Sequence, residues 1–195
     1  PKLDTAIIHV QKASPDGTCV ILGDEFHDVD IAVAARKVIV TCEEIVSDEF
    51  IRQDPTANKI FGECVNAVVK APYGAWPSQC YGYYDDDDAA LKEYDKASKY
   101  QDAEDAVKQL AKAAAKAQKA ADAKPEDEKL AAAAERAKKA AEDAAAGTLI
   151  PETFKDYLDK WVYSVADQPA LLDKIGGSRL MRLKVEPHLG YSTTH

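Results

Sequence analysis

The stretch Lys37-Val-Ile-Val-Thr-Cys-Glu-Glu-Ile-Val46 constrains the fold more than any other part of this chain. The basic pair Arg36-Lys37 leads into three β-branched residues, Val38-Ile39-Val40, and the run closes on two carboxylates, Glu43 and Glu44. A short apolar run bounded by charge is the pattern of a strand buried on both faces of a sheet. Ligands in open α/β sheets sit beyond the carboxyl ends of such strands, so the sequence sets two acids where a site is expected.

The flanking segments alternate accordingly. Ala6-Ile-Ile-His-Val10 and Thr18-Cys-Val-Ile-Leu22 read as strands joined by the turn Ser14-Pro-Asp-Gly17, which predicts a hairpin over residues 5–22. Asp30–Arg36 reads as a short helix, capped by Asp28 or Asp30, that delivers the chain to the strand at 38–42. Ser47–Arg52 reads as a helical turn with Ser47 as its cap, broken by Asp54-Pro55, and Val65–Val69 reads as a third buried strand. Residues 71–84 hold two prolines, two glycines and five aromatics, the composition of an ordered, aromatic-packed loop. Asp85–Asp88 follow, read as the solvated start of a helix over 89–100, where acids suit the positive end of the helix dipole.

Composition then changes. Twenty of the forty-seven residues from 101 to 147 are alanine, and nearly all the rest are charged or Gln. Such residues are the strongest helix formers, and Lys124-Pro-Glu-Asp127 marks a break. The segment predicts a helical hairpin, roughly 101–123 and 125–146, stabilised by propensity because buried alanine removes little apolar area from water. Its uniformity is that of an engineered or low-complexity insertion. Beyond it, Phe154, Tyr157, Leu158, Trp161 and Val162 follow helical spacing, and two further short helices are expected over 167–175 and 178–184, with a tail over 186–191.

Net charge is −9, which argues against a general nucleic-acid surface, and no apolar run approaches the ~18 residues of a membrane span. No secretory leader is visible, and a chain opening on Pro1 is expected to be a fragment. Cys19, Cys42, Cys64 and Cys80 form no zinc-type spacing, so they are expected to be reduced thiols in a cytoplasmic protein, with no metal. His9 reads as a hydrogen-bonded strand histidine. His27 with Asp28 and Asp30 offers metal donors on one loop only, and His188 and His195 lie in the tail without a site signal.

Several of these stretches fall together in one order: Asp4-Thr-Ala-Ile-Ile-His-Val-Gln-Lys-Ala13, Asp16-Gly17, Ala34-Ala-Arg-Lys-Val-Ile-Val-Thr41, Glu43-Glu-Ile-Val46, and Ala67-Val-Val-Lys-Ala-Pro-Tyr-Gly-Ala-Trp-Pro-Ser78. The chain thereby resembles the C-terminal half of A subunits of the glutaconate CoA-transferase type, in the family I CoA-transferases, over about residues 4–100 and 150–191. The resemblance implies an α/β fold with an open, mostly parallel sheet and flanking helices. It divides the chain into a partial CoA-transferase-like domain, 1–100 and 148–195, and an inserted Ala-rich helical hairpin, 101–147. The family's glycine-rich N-terminal half has no counterpart here.

The implied activity is transfer of coenzyme A between an acyl-CoA and a carboxylic acid, with no covalently bound cofactor and a coenzyme A thioester as substrate. In the family a glutamate carboxylate attacks the acyl-CoA, giving an anhydride and then a glutamyl-CoA thioester. That glutamate lies on the companion B subunit, so the implied assembly is a hetero-oligomer. The catalytic residue is not assigned in this chain, and the isolated chain is expected to be inactive. Glu43 and Glu44 are expected to face the interior or a backbone amide in one case and solvent in the other. Gly74, Ser78 and Gln79 are the loop groups expected to meet a CoA ester or the B subunit, with Glu43 and Glu44 beside them as binding candidates. The alternatives are part of a related CoA-thioester hydrolase and a non-catalytic engineered scaffold.

Overall fold

A computed structural model describes residues 3–186, so the tail beyond Glu186, with His188 and His195, lies outside the described residues. The chain divides into two compact units, residues 1–88 with 167–195, and residues 89–166.

The first unit is built on a mixed five-stranded sheet in the order β4-β2-β1-β3-β5, with β1 Leu3–Ala13, β2 Cys19–Val20, β3 Ala35–Ile45, β4 Asn58–Ile60 and β5 Ala67–Lys70. β1, β3 and β5 run parallel, and β2 and β4 add antiparallel pairs on one side. The strand through Val38–Cys42 is therefore internal, hydrogen-bonded on both sides, while β1 is the middle strand. The expected hairpin forms, although its second arm shortens to Cys19–Val20.

Alternation along β1 and β3 decides the two faces of the sheet. Ala6, Ile8 and Val10 on β1, and Val38, Val40 and Cys42 on β3, are all buried and pack with Ile21, Ala32 and Ile60. Each large aliphatic side chain so buried contributes roughly 1.5–3 kcal/mol. The opposite face carries Ile7, His9 and Gln11 on β1 and Ile39, Thr41 and Glu43 on β3. It is open at its amino-terminal end, where Ile7 is 72% exposed, and closed over Gln11 and Glu43.

Three expectations need correction here. β5 is an edge strand with Ala67 and Val69 exposed, not a buried one, because nothing pairs with its outer side among the described residues. Helix α1, Asp28–Ala34, begins after His27 with no side-chain cap; Asp28 and Asp30 sit within its first turn. The acids at 85–88 are not all solvated. Asp87 is 3% exposed, held by the Arg179 guanidinium at 2.7 Å and by Trp76 Nε1 at 2.8 Å, since a buried carboxylate needs such charge-assisted partners. Ser47 does cap α2, Asp48–Gln53, accepting from the Phe50 N–H. Helices α7, Gln168–Ile175, and α8, Gly177–Leu183, complete this unit.

The second unit contains most of α3, Asp88–Ala97, then α4, Ala103–Ala123, α5, Glu128–Ala145, and α6, Phe154–Leu158. α4 and α5 are capped by Asp102 and Asp127 and bury only Ala106, Ala134 and Ala144, so the hairpin gains little from packing. α6 opens on a capping box between Thr153 and Asp156 and then widens into a π-helical turn, Asp159–Tyr163. The Ser164 N–H reaches the Asp159 carbonyl five residues back. That extra residue per turn breaks the helical spacing: Tyr157 and Trp161 stay buried, Trp161 donating to Glu93, while Val162 turns half out to solvent.

Candidate functional site

The site lies at the carboxyl ends of β1 and β3, beneath the loop 71–84. Parallel pairing sets His9 opposite Thr41, and the next residue on that face of β3 is Glu43. Glu43 is 6% exposed, and a buried carboxylate must find donors or be destabilising. It finds four. The backbone N–H of Tyr73 donates at 2.9 Å and that of Gly74 at 3.3 Å, the Tyr84 hydroxyl donates at 2.9 Å, and His9 Nε2 lies at 2.8 Å. His9 Nδ1 is 2.9 Å from Thr41 Oγ1, so both ring nitrogens are engaged and the imidazole plane is fixed.

The loop is organised around this carboxylate. Tyr73 adopts a positive φ of 58°, which turns its own and the next N–H to the same acceptor. The Ala75 N–H donates to the Tyr84 hydroxyl at 2.9 Å, and the Tyr73 and Tyr84 rings stack with centroids 4.6 Å apart. Cys80, Tyr84 and Leu183 form a small buried cluster beneath, and the Val185 N–H bonds to the Tyr83 carbonyl, fastening the loop to the end of α8. Gly74 has a packing reason to be glycine. A Cβ there would stand 2.6 Å from His9 Cε1 and 2.8 Å from the Ala71 carbonyl oxygen.

Beside the network opens a cleft of about 390 Å³, lined among others by His9, Gln11, Phe26, Gln79, Cys80 and Tyr81. Gln11 shapes its wall by accepting from the Leu22 N–H at 3.1 Å and donating to the Leu22 carbonyl at 3.3 Å. A larger depression sits over the turn Lys124–Lys129 of the hairpin, remote in sequence from every candidate group, and it gathers no chemistry.

The structure brings some of the expected residues together and separates others. Glu43 and Gly74 meet directly, and Gln79 lines the cleft while its backbone N–H is held by Asp86 at 2.8 Å. Ser78 is exposed and does not line the cleft. Glu44 points to the other side of β3, half exposed, accepting from the Tyr83 hydroxyl at 2.8 Å with Lys12 at 3.7 Å. His27 and Asp30 are both exposed and 3.7 Å apart, and with Asp28 they make no converging ligand set among the described residues. Sequence reasoning does not single out His9, Gln11, Cys80 and Tyr84 as site residues. The alternation of His9 and Gln11 against Thr41 and Glu43 is the available signal, because polar groups recur there on one face of otherwise apolar strands.

Electrostatics follow from burial. Burial and the neighbouring Glu43 charge hold the Tyr84 hydroxyl far above the usual tyrosine range, so it remains a donor. Burial, then Glu43, pushes the Cys80 thiol up to about 12, and burial pushes Cys19 to about 12 as well. All four cysteines are free, and Cys64 is the one not fully buried. Under native conditions iodoacetamide should therefore modify Cys64 first. Cys80 and Cys19 should stay unmodified as pH rises from 7 to about 9, since so high a thiol pKa leaves almost no thiolate there. Peptide mapping that finds Cys80 alkylated as fast as Cys64 would contradict this.

Comparison with known proteins gives this arrangement a setting. No family model matches the sequence. The fold nevertheless matches that of a solved CoA-transferase: the crystal structure of glutaconate coenzyme A-transferase from Acidaminococcus fermentans matches the chain with a TM-score of 0.67 and 44% identity, covering 98% of this chain and 45% of that one. The chain is a relative of the A subunit of glutaconate CoA-transferase from that organism, 44% identical over 191 residues, which are 98% of this chain and 44% of the relative. The A subunit of 3-oxoadipate CoA-transferase from Pseudomonas knackmussii is 32% identical over 102 residues, 49% of this chain and 33% of the relative. The chain thus spans less than half the length of these curated relatives. Among the described residues, no helix is long and apolar enough to cross a membrane.

Proposed function

We propose that this chain is part of a CoA-transferase A subunit, one that moves coenzyme A between an acyl-CoA and a carboxylic acid while a B subunit supplies the attacking glutamate. The observation that carries this reading is 44% identity, over 98% of the chain, to the A subunit of a glutaconate CoA-transferase, with a matching fold. The site's own geometry supports the division of labour. Each oxygen of Glu43 already accepts hydrogen bonds from within the chain, so its carboxylate acts as an anchor and not as a nucleophile. Glu43 and Gly74 fix the loop, and Gln79 on the cleft wall and the exposed Ser78 are the groups that face acyl-CoA or the B subunit. Glu44, on the other side of β3, is tied to the loop through the Tyr83 hydroxyl. Residues 101–147 are an added hairpin outside the chemistry.

The test is CoA exchange. The chain, placed in its full-length polypeptide and joined to a CoA-transferase B subunit, should exchange CoA between glutaconyl-CoA and acetate, and a version lacking 101–147 should do so at a similar rate. Mutating the B-subunit glutamate should abolish exchange, and Glu43→Gln should not remove the covalent glutamyl-CoA adduct from the B subunit. Exchange that survives loss of the B-subunit glutamate would overturn the assignment. Release of free CoA without an acceptor acid would instead favour a thioester hydrolase.

A further inference from the structure

The anchor of the loop also gathers a thiol. His9 on β1, Glu43 on β3 and Cys80 in the loop come from three separate segments, yet a ring nitrogen, a carboxylate oxygen and the Sγ atom all lie within 4.8 Å of one another. We propose that these three side chains form a binding site for a zinc-like divalent cation, with a fourth ligand supplied from the adjoining cleft.

The donor set selects the ion. A thiolate with an imidazole favours borderline-soft cations such as zinc over magnesium or calcium, which take oxygen ligands. Three protein ligands and one open position is the arrangement of a zinc site that keeps room for water or a small ligand. The open position exists here, because both His9 and Cys80 line the 390 Å³ cleft.

The surroundings are those of a supported site. Thr41 Oγ1, 2.9 Å from His9 Nδ1, can accept the Nδ1 proton and leave Nε2, on the Glu43 side, to face the metal. Such a contact fixes the tautomer of a ligating histidine. The Tyr73 N–H holds the far carboxylate oxygen, Oε2, while the Tyr84 hydroxyl and the Gly74 N–H donate to Oε1 and fix its position. The charge also balances. Glu43 and Cys80 are 6% and 5% exposed, and His9 Nε2 lies 2.8 Å from the Glu43 carboxylate. A divalent cation with one carboxylate, one thiolate and a neutral imidazole gives a site of zero net charge, the least costly state in a buried setting. On binding, the Cys80 thiol loses its proton to solvent, the imidazole proton resides on Nδ1, and the cation takes the Nε2, Sγ and Oε1 lone pairs.

Cobalt(II) is the probe, because thiolate ligation gives it a near-ultraviolet charge-transfer band that carboxylate and imidazole do not. The chain, freed of metal by chelation and dialysis, should take up one cobalt per molecule with that band, and zinc should displace it. Cys80→Ser should lose the band with an unchanged circular dichroism spectrum. Thr41→Val should keep the band and bind about 10–100-fold more weakly. No band in the parent chain overturns the site, as does a band that survives Cys80→Ser, which would assign it to another cysteine. Should Cys80→Ser fail to fold, the parent spectrum and the Thr41→Val titration decide, and equal affinity in the latter counts against the proposal.

Discussion

Replacing Glu43 by alanine is expected to be the most damaging single change in the sheet-containing unit. It leaves the Tyr73 and Gly74 N–H groups, the Tyr84 hydroxyl and His9 Nε2 without their acceptor in a closed environment. Removing one member of a buried, charge-assisted cluster costs about 3–5 kcal/mol. For a chain of this length that corresponds to a fall of roughly 6–20 °C in the melting midpoint. Scanning calorimetry reads it directly, and a midpoint equal to that of the parent would refute the anchoring role. A cycle with Tyr84→Phe should show a coupling of about 0.5–3 kcal/mol, because the two side chains share one hydrogen bond.

Gly74→Ala is the second large effect. The added methyl meets His9 Cε1 at 2.6 Å, His9 Nδ1 at 2.7 Å and the Ala71 carbonyl oxygen at 2.8 Å. Neither neighbour yields easily: the imidazole is held at both nitrogens, and the carbonyl is backbone. Forcing a methyl group into a filled site costs about 1–3 kcal/mol. The displaced imidazole should also lose its Glu43 contact, so the His9 ring resonances should shift in NMR spectra of the variant. Wild-type stability together with unshifted His9 resonances would show that the loop has slack there.

These two residues illustrate what sequence could and could not reveal. The strand through Val38–Cys42 and the acids at its end were legible because three adjacent β-branched residues ending on charge have few other solutions. That one acid would turn inward and the other outward was equally legible, since consecutive strand residues face opposite ways. The four donors of Glu43 were not, because they arrive from 30 to 41 residues further along and from β1, 34 residues earlier. Asp87 misled for the same reason: an acid at a helix start reads as solvated until Arg179, 92 residues away, is placed beside it. β5 read as buried from its valines, but burial of a strand depends on which neighbour lies on its outer side. The helix after Pro151 kept its spacing only to Trp161, because a π turn shifts the phase without any marker in composition.

The parallel pairing of β1 and β3 has a consequence for how this protein reaches its native state. Sliding β3 by one position would deliver Glu44 or Cys42 to the place that Glu43 holds level with Gln11 and within reach of His9, and would drive the Glu43 carboxylate into the aliphatic layer of Val10, Val38 and Val40. Misaligned chains are thus penalised twice, by an ionic group stranded in hydrocarbon and by a loop with no acid to close upon. The carboxylate works as a proofreader of strand alignment.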